Sequence, residues 1–305
     1  MSVPAWLWVP ITLWAAFAQT LRNAAQRHLT RDLGTLGATS VRFIYGLPFA
    51  IVWLLLVQHF TAASWPVLPP TFWTWVAIAA VAQIAGTALL LRVMAERNFA
   101  LGVAYSKTEV TQVAFIAVVF LGERLSPLAW LAVGVATLGV LLISTTNDPH
   151  PLRALWRGWT TRSAWFGLAA GAAFALSAVG FRGSTVSLVD THYLVAAAVT
   201  LVVAQCLQSI LLCIWLAWRE RGTLTRVLVA WRGSLLAGLM GAAATAGWFT
   251  AMAIEPIAHV RTLGLIELLF SLIVSRRAFR ERLREIEWMG MLLLAVGLAI
   301  IAWQR

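Results

Sequence analysis

Two glutamates occupy positions where acids are costly. Glu109 and Glu267 fall about nine and ten residues into long apolar runs. At 1.5 Å per residue, that places each about 14 Å from the start of its run, close to the midplane of a ~30 Å hydrocarbon layer. An ionisable side chain at that depth costs roughly 2.5–3.5 kcal/mol on insertion scales and usually faces a cavity or a partner. Two carboxylates at mid-depth suit a proton or cation site. The plain alternative is a structural pair of acids, neutralised by arginine or buried protonated.

Other polar residues offer companions. Lys107 and Arg42 are natural counter-ions. Lys107 is two residues from Glu109 and so points to a different helical face, whereas Tyr105, Glu109 and Gln112 share one. Arg42 lies about five residues into its run, placed either to snorkel to the membrane surface or to form an internal ion pair. Gln19, Arg22, Asn23 and Gln26 follow the spacing i, i+3, i+4, i+7. That is one polar stripe on an apolar helix, either a cavity face or a helix end emerging into water. Trp14 and Trp248 fall nearer mid-run than the other tryptophans, most of which sit at run ends as an interfacial belt. These two line a cavity or face lipid. Gln83 and Thr87 in one run, Thr245 in a second, and Gln205, Gln208 and Ser209 in a third, suit interhelical hydrogen bonds. Cys206 and Cys213 are seven residues apart in one run, about 10 Å along a helix, which is too far for a disulfide.

The elements that position these residues are apolar helices. Of the 305 residues 61% are hydrophobic and 11% charged, with a mean hydropathy of +0.82. A soluble domain carries about a quarter charged residues, so this chain uses lipid as part of its solvent. Ten runs of spanning length stand out: roughly 4–26, 37–58, 72–95, 100–121, 126–145, 163–183, 190–218, 234–254, 257–275 and 285–303. Gly46 and Pro48 predict a kink in the second run. The net charge of +11 does not signal nucleic acid, because the basic residues form short clusters between apolar runs. Arginines adjoining the odd-numbered loops number seventeen, against four on the other side. The odd loops are therefore expected in the cytoplasm and both termini outside, in a bacterial-type inner membrane.

The chain also repeats itself. A shift of 158 positions lays Thr87-Ala88 on Thr245-Ala246, Glu109 on Glu267, Glu123-Arg124-Leu125 on Glu281-Arg282-Leu283, Trp130 on Trp288 and Gly139 on Gly297. An odd number of helices per unit turns the second unit upside down, the inverted-repeat plan of many secondary transporters. The expected division is a first five-helix repeat over 1–146, a basic linker over 147–162 and an inverted repeat over 163–305.

The run Phe115 to Pro127, which contains Gly122-Glu123-Arg124-Leu125-Ser126, followed by Gly134 and Gly139, resembles the signature of EamA-type members of the drug/metabolite transporter superfamily. Arg42-Phe43 and the degenerate copy Phe279 to Leu283 are similar to it as well. The resemblance implies an all-α basket of ten transmembrane helices around a central cavity, alternating access and small-molecule substrates. Small multidrug relatives use a glutamate in the first helix. No acid lies in the first helix here, so their coupling site does not carry over.

The expected function is a secondary transporter, an exporter of an amino acid, amine or drug, with protons as a candidate coupling ion. A flippase for an amphiphilic substrate is the alternative, and a membrane enzyme a weaker one. No metal-binding, P-loop or cofactor motif appears, so neither metal nor cofactor is expected. The expected partners are membrane lipids and the substrate.

Overall fold

The computed structural model describes residues 4–96, 109–122, 124–143, 162–270 and 285–303. All regular structure among them is helical. We number the helices α1 (Trp8–Ile44), α2 (Leu47–Thr61), α3 (Pro70–Glu96), α4 (Glu109–Leu121), α5 (Pro127–Ile143), α6 (Arg162–Val186), α7 (Tyr193–Arg219), α8 (Arg221–Val229), α9 (Trp231–Ile254), α10 (Ile257–Leu263) and α11 (Glu285–Trp303). Residues 266–270 resume a helix after α10.

Five described stretches are long and apolar enough to cross a membrane: Trp8–Thr61, Pro70–Arg92, Trp165–Val186, Tyr193–Arg219 and Trp231–Ile254. The first has 54 residues. Straight, it would measure about 81 Å, more than twice a ~30 Å core, so it must turn. It turns at Gly34, whose φ of 70° and ψ of 178° belong to a region open almost only to glycine.

The polar stretch before that turn was expected to be a loop. Instead Arg27 to Leu33 continue the helix, because nothing between Gln26 and Gly34 breaks one. A second break falls at Tyr45-Gly46. Pro48, in the first turn of α2, has no N–H to give the Ile44 carbonyl, and the expected kink is present. The connection after α7 also differs from a plain loop, since it contains the short helix α8.

The Leu121 to Pro127 motif has a local physical reading. Gly122 ends α4 with φ 65°, the left-handed stop that glycine makes without strain. Ser126 then caps α5, its Oγ accepting from the Ala129 N–H at 3.0 Å, and Pro127 opens the helix where its missing N–H is harmless. The motif is a stop followed by a start.

The chain forms two compact units, Met1–Ile84 with Ser177–Glu255, and Ala85–Leu176 with Pro256–Arg305. Each draws on both halves of the sequence. Small residues let helices approach closely, as membrane packing requires. In the first unit, α1 packs on α9, and α2 on α7. A methyl at Gly247 would lie 2.9 Å from the Ala15 Cβ, and one at Gly238 2.5 Å from the Tyr45 carbonyl. Gly180 and Gly183 of α6 meet Ala79 and Trp75 of α3 in the same way.

In the second unit, α5 packs on α11, and α4 on α10. Gly297 meets Ala136, Phe115 meets Trp130, and the hydroxyls of Thr111 and Thr137 lie 3.0 Å apart. Further along α3 and α6, Gly86 faces Phe174 and the Arg92 guanidinium lies over the Phe166 ring at 5.0 Å. Large apolar side chains such as Leu55, Phe60, Phe120 and Ile214 are exposed. That suits a lipid-facing surface, since bilayer lipid is as apolar as they are.

Candidate functional site

In the second unit Glu109 is 7% exposed and Glu267 4%, so both acids are inside the protein. Glu109 opens the described part of α4. Glu267 follows the Gly264-Leu265 turn that interrupts its helix after α10. There the backbone tightens, with Leu265, Glu267 and Leu268 each donating to the carbonyl three residues back. Lys107 and Tyr105 lie outside the described residues. Gln112 is half-buried, one turn beyond Glu109.

Among the described residues, Arg261 is the cation that pairs with Glu109. Its Nη1 lies 3.2 Å from Glu109 Oε1. The contact is an ion pair without an aligned hydrogen bond, since Glu109 Oε1 and Arg261 Nε both lack one. The pair forms because α10, which carries Arg261, packs against α4. Sequence reasoning placed Arg261 among the helix-end arginines. The available signal was its position about four residues inside the ninth apolar run. The repeat gave no flag, because the shift of 158 lays Arg261 on Val103.

The first unit gathers the polar stripe of α1. Trp248 Nε1 donates to Gln19 Oε1 at 3.0 Å. Arg22 donates from Nη2 to Asn23 Oδ1 at 2.8 Å. Gln26 Nε2 donates to the Ala38 carbonyl at 2.7 Å. Twelve residues along a straight helix would span about 18 Å, so this last bond exists only because α1 folds back at Gly34. It clasps the two arms of the helix.

Arg22 is 6% and Arg42 4% exposed. Arg42 therefore does not snorkel to the surface. It is enclosed, with its guanidinium 4.8 Å from the centre of the Phe43 ring. Both arginines pass Gly241 of α9, where a methyl would lie 3.5 Å from Arg22 Cδ and from Arg42 Cβ. Trp248 is buried, whereas Trp14 is 50% exposed beside Phe17. The expected interhelical bond at Gln83 is made, because Gln208 Nε2 donates to Gln83 Oε1 at 2.7 Å. Cys206 and Cys213 are free thiols.

Apolar helices of spanning length and charges enclosed among them define a multi-pass membrane protein. Residues 6–145 match the model of the EamA-like transporter family, which belongs to the drug/metabolite transporter superfamily, and a match to that family implies a membrane transporter of its type. A crystal structure shares the fold, with a TM-score of 0.68 at 13% identity, over 96% of this chain and 94% of that one. No curated protein matches the sequence.

Proposed function

We propose that the protein is a secondary-active exporter of a small organic metabolite of the amino acid, amine or drug class, with Glu109 and Arg261 as its charge-switching pair. The observation that carries this reading is the 3.2 Å contact of a buried acid with a cation from the helix packed on it. A buried carboxylate needs a cation or a proton to offset its desolvation. Arg261, a proton and a cationic substrate group then compete for Glu109, and the winner sets which conformation is stable. Glu267, the repeat counterpart of Glu109, is the second acid of the site.

The architecture proposed is ten helices in two inverted five-helix repeats, 1–146 and 163–305, joined by 147–162 and working by alternating access. The packing supports it. Counting the two arms of α1 as belonging to spans one and two, and α2 to span two, each span can be exchanged with the span five later. The pairs α2–α7, α4–α10 and α5–α11 map onto themselves, and α1–α9 maps onto α3–α6. A pseudo-two-fold axis generates that pattern.

The test is transport by purified protein in liposomes, after a thermal-shift screen of metabolites for a substrate. Glu109→Gln keeps shape and removes the charge. It should abolish pH-gradient-driven flux while the protein stays monodisperse, and Glu267→Gln should abolish it or shift its pH profile. Unchanged flux and pH dependence in both variants makes the carboxylates structural and refutes the site.

A further inference from the structure

Helix α8 is short, basic and amphipathic. Thr223 and Val227, one turn apart, are buried against α1, with their methyl groups 3.1 and 3.4 Å from where a methyl on Gly37 would stand. The Tyr45 hydroxyl fixes the far end of α8, 2.9 Å from the Val227 carbonyl and 3.1 Å from that of Leu228. The opposite face is exposed and carries Arg221, Thr225, Leu228 and Val229. Between this face and Asp32-Leu33 of α1 runs an open groove of about 510 Å³, lined by Gly222, Thr225, Arg226, Val229 and Ala230. Nothing lies within 4 Å of a methyl placed on Gly222, so the groove is open there. Arg226 lines the groove and is held along α8 by a 2.9 Å hydrogen bond from its Nη2 to Thr223 Oγ1, three residues back.

Two further features bear on what fills this groove. The first is charge. Residues 27–34 and 219–232 hold six arginines (27, 31, 219, 221, 226 and 232) against Asp32 and Glu220, a net of +4, and all eight are exposed. The second is depth. The last turn of α7 and the first residue of α9 bracket α8 with exposed Trp218 and Trp231. Arg219 stacks on Trp218 at 4.9 Å and Arg232 on Trp231 at 5.3 Å. Tryptophans in that arrangement mark the headgroup level of a bilayer, where basic pockets beside helices recognise lipid phosphates.

We propose that the groove between α8 and the Asp32-Leu33 segment of α1 is a binding site for the phosphodiester headgroup of an anionic phospholipid. Arg226 is the principal contact, Leu33 and Val229 form the apolar wall, and Gly222 keeps the groove open. The site is independent of the transport reading, since none of these residues belongs to the charge-switching pair.

The test is lipid retention by the full chain in native mass spectrometry. Detergent-solubilised protein is titrated with phosphatidylglycerol or with phosphatidylcholine of identical acyl chains. The wild type should retain the anionic lipid about tenfold better, a difference worth one decade in Kd. Gly222→Leu should fill the groove without a clash and bring retention down to the phosphatidylcholine level, as should Arg226→Gln, with melting in phosphatidylcholine unchanged for Gly222→Leu. Equal retention of the two lipids by the wild type overturns the proposal. So does undiminished preference in both variants. Competition by millimolar glycerol 3-phosphate as effective as by the intact lipid makes this a soluble-anion site and also overturns it.

Discussion

The ion pair between Glu109 and Arg261 predicts a specific non-additivity. At 3.2 Å two unit charges attract by about 5 kcal/mol at an effective dielectric constant of about 20. Desolvation of both groups consumes most of that, so the net value of the intact pair is small. Removing one partner is different, because it strands the other charge inside the protein at a cost of roughly 3–5 kcal/mol. Arg261→Gln should therefore lower the apparent Tm by about 6–10 °C, at roughly 2 °C per kcal/mol for a large chain. Glu109→Gln should be costly for the same reason. The double variant should recover much of the loss, with a coupling energy of about 2 kcal/mol or more. Thermal melting of the four proteins in one detergent, followed by intrinsic tryptophan fluorescence, measures the cycle. If the two single losses add within about 0.5 kcal/mol, the charges do not interact and the switching role assigned to the pair falls with them.

Three further outcomes are expected. Gly34→Ala forces a β-carbon onto a backbone with φ 70°, at a cost of about 1–3 kcal/mol; faster hydrogen exchange over 27–40 should report the loosened fold-back, and unchanged exchange would argue against a turn there. Gly297→Leu meets the Ala136 Cβ and N already 2.8 Å from a methyl, so overpacking of about 1–3 kcal/mol should lower the Tm, whereas Gly134→Leu, with open space around it, should not. A reporter active only in the cytoplasm should be silent when fused after Arg305, if both termini lie outside as the arginine asymmetry predicts; strong activity would reverse the orientation.

The helices were legible in the sequence wherever apolarity decided them. The Leu121–Pro127 signature could be read because glycine, serine and proline act locally, each through its own backbone chemistry. The two buried acids were legible for a similar reason, as charge inside an apolar run is costly in any tertiary setting. Arg261 was not, because its contact with Glu109 depends on which helix packs on α4, and neither local propensity nor the 158-residue shift encodes that. The continuation of α1 through Arg27–Leu33 was missed because a polar stretch reads as a loop, although polarity alone breaks no helix. The clasp from Gln26 to Ala38 depends on the reversal at Gly34, so the spacing of the α1 stripe suggested a cavity face where Gln26 serves structure.

The interleaving of the two compact units bears on how the molecule is made. A ribosome adds about 5–20 residues per second. Helix α4 is complete at Leu121, but its packing partner α10 begins only at Ile257, so roughly 7–27 s of synthesis separate them. Through that interval Glu109 sits in the newly inserted chain without Arg261. Helix α5 waits in the same way for α11, with the close-packing surface at Ala136 uncovered until Gly297 arrives. The first unit, by contrast, closes when α9 docks, before the second can be completed. The nascent chain therefore passes through a stage with one finished unit and one that still lacks α10 and α11. During that stage the cell's membrane-insertion machinery has to shelter an acid and a small-residue helix face that the finished protein buries.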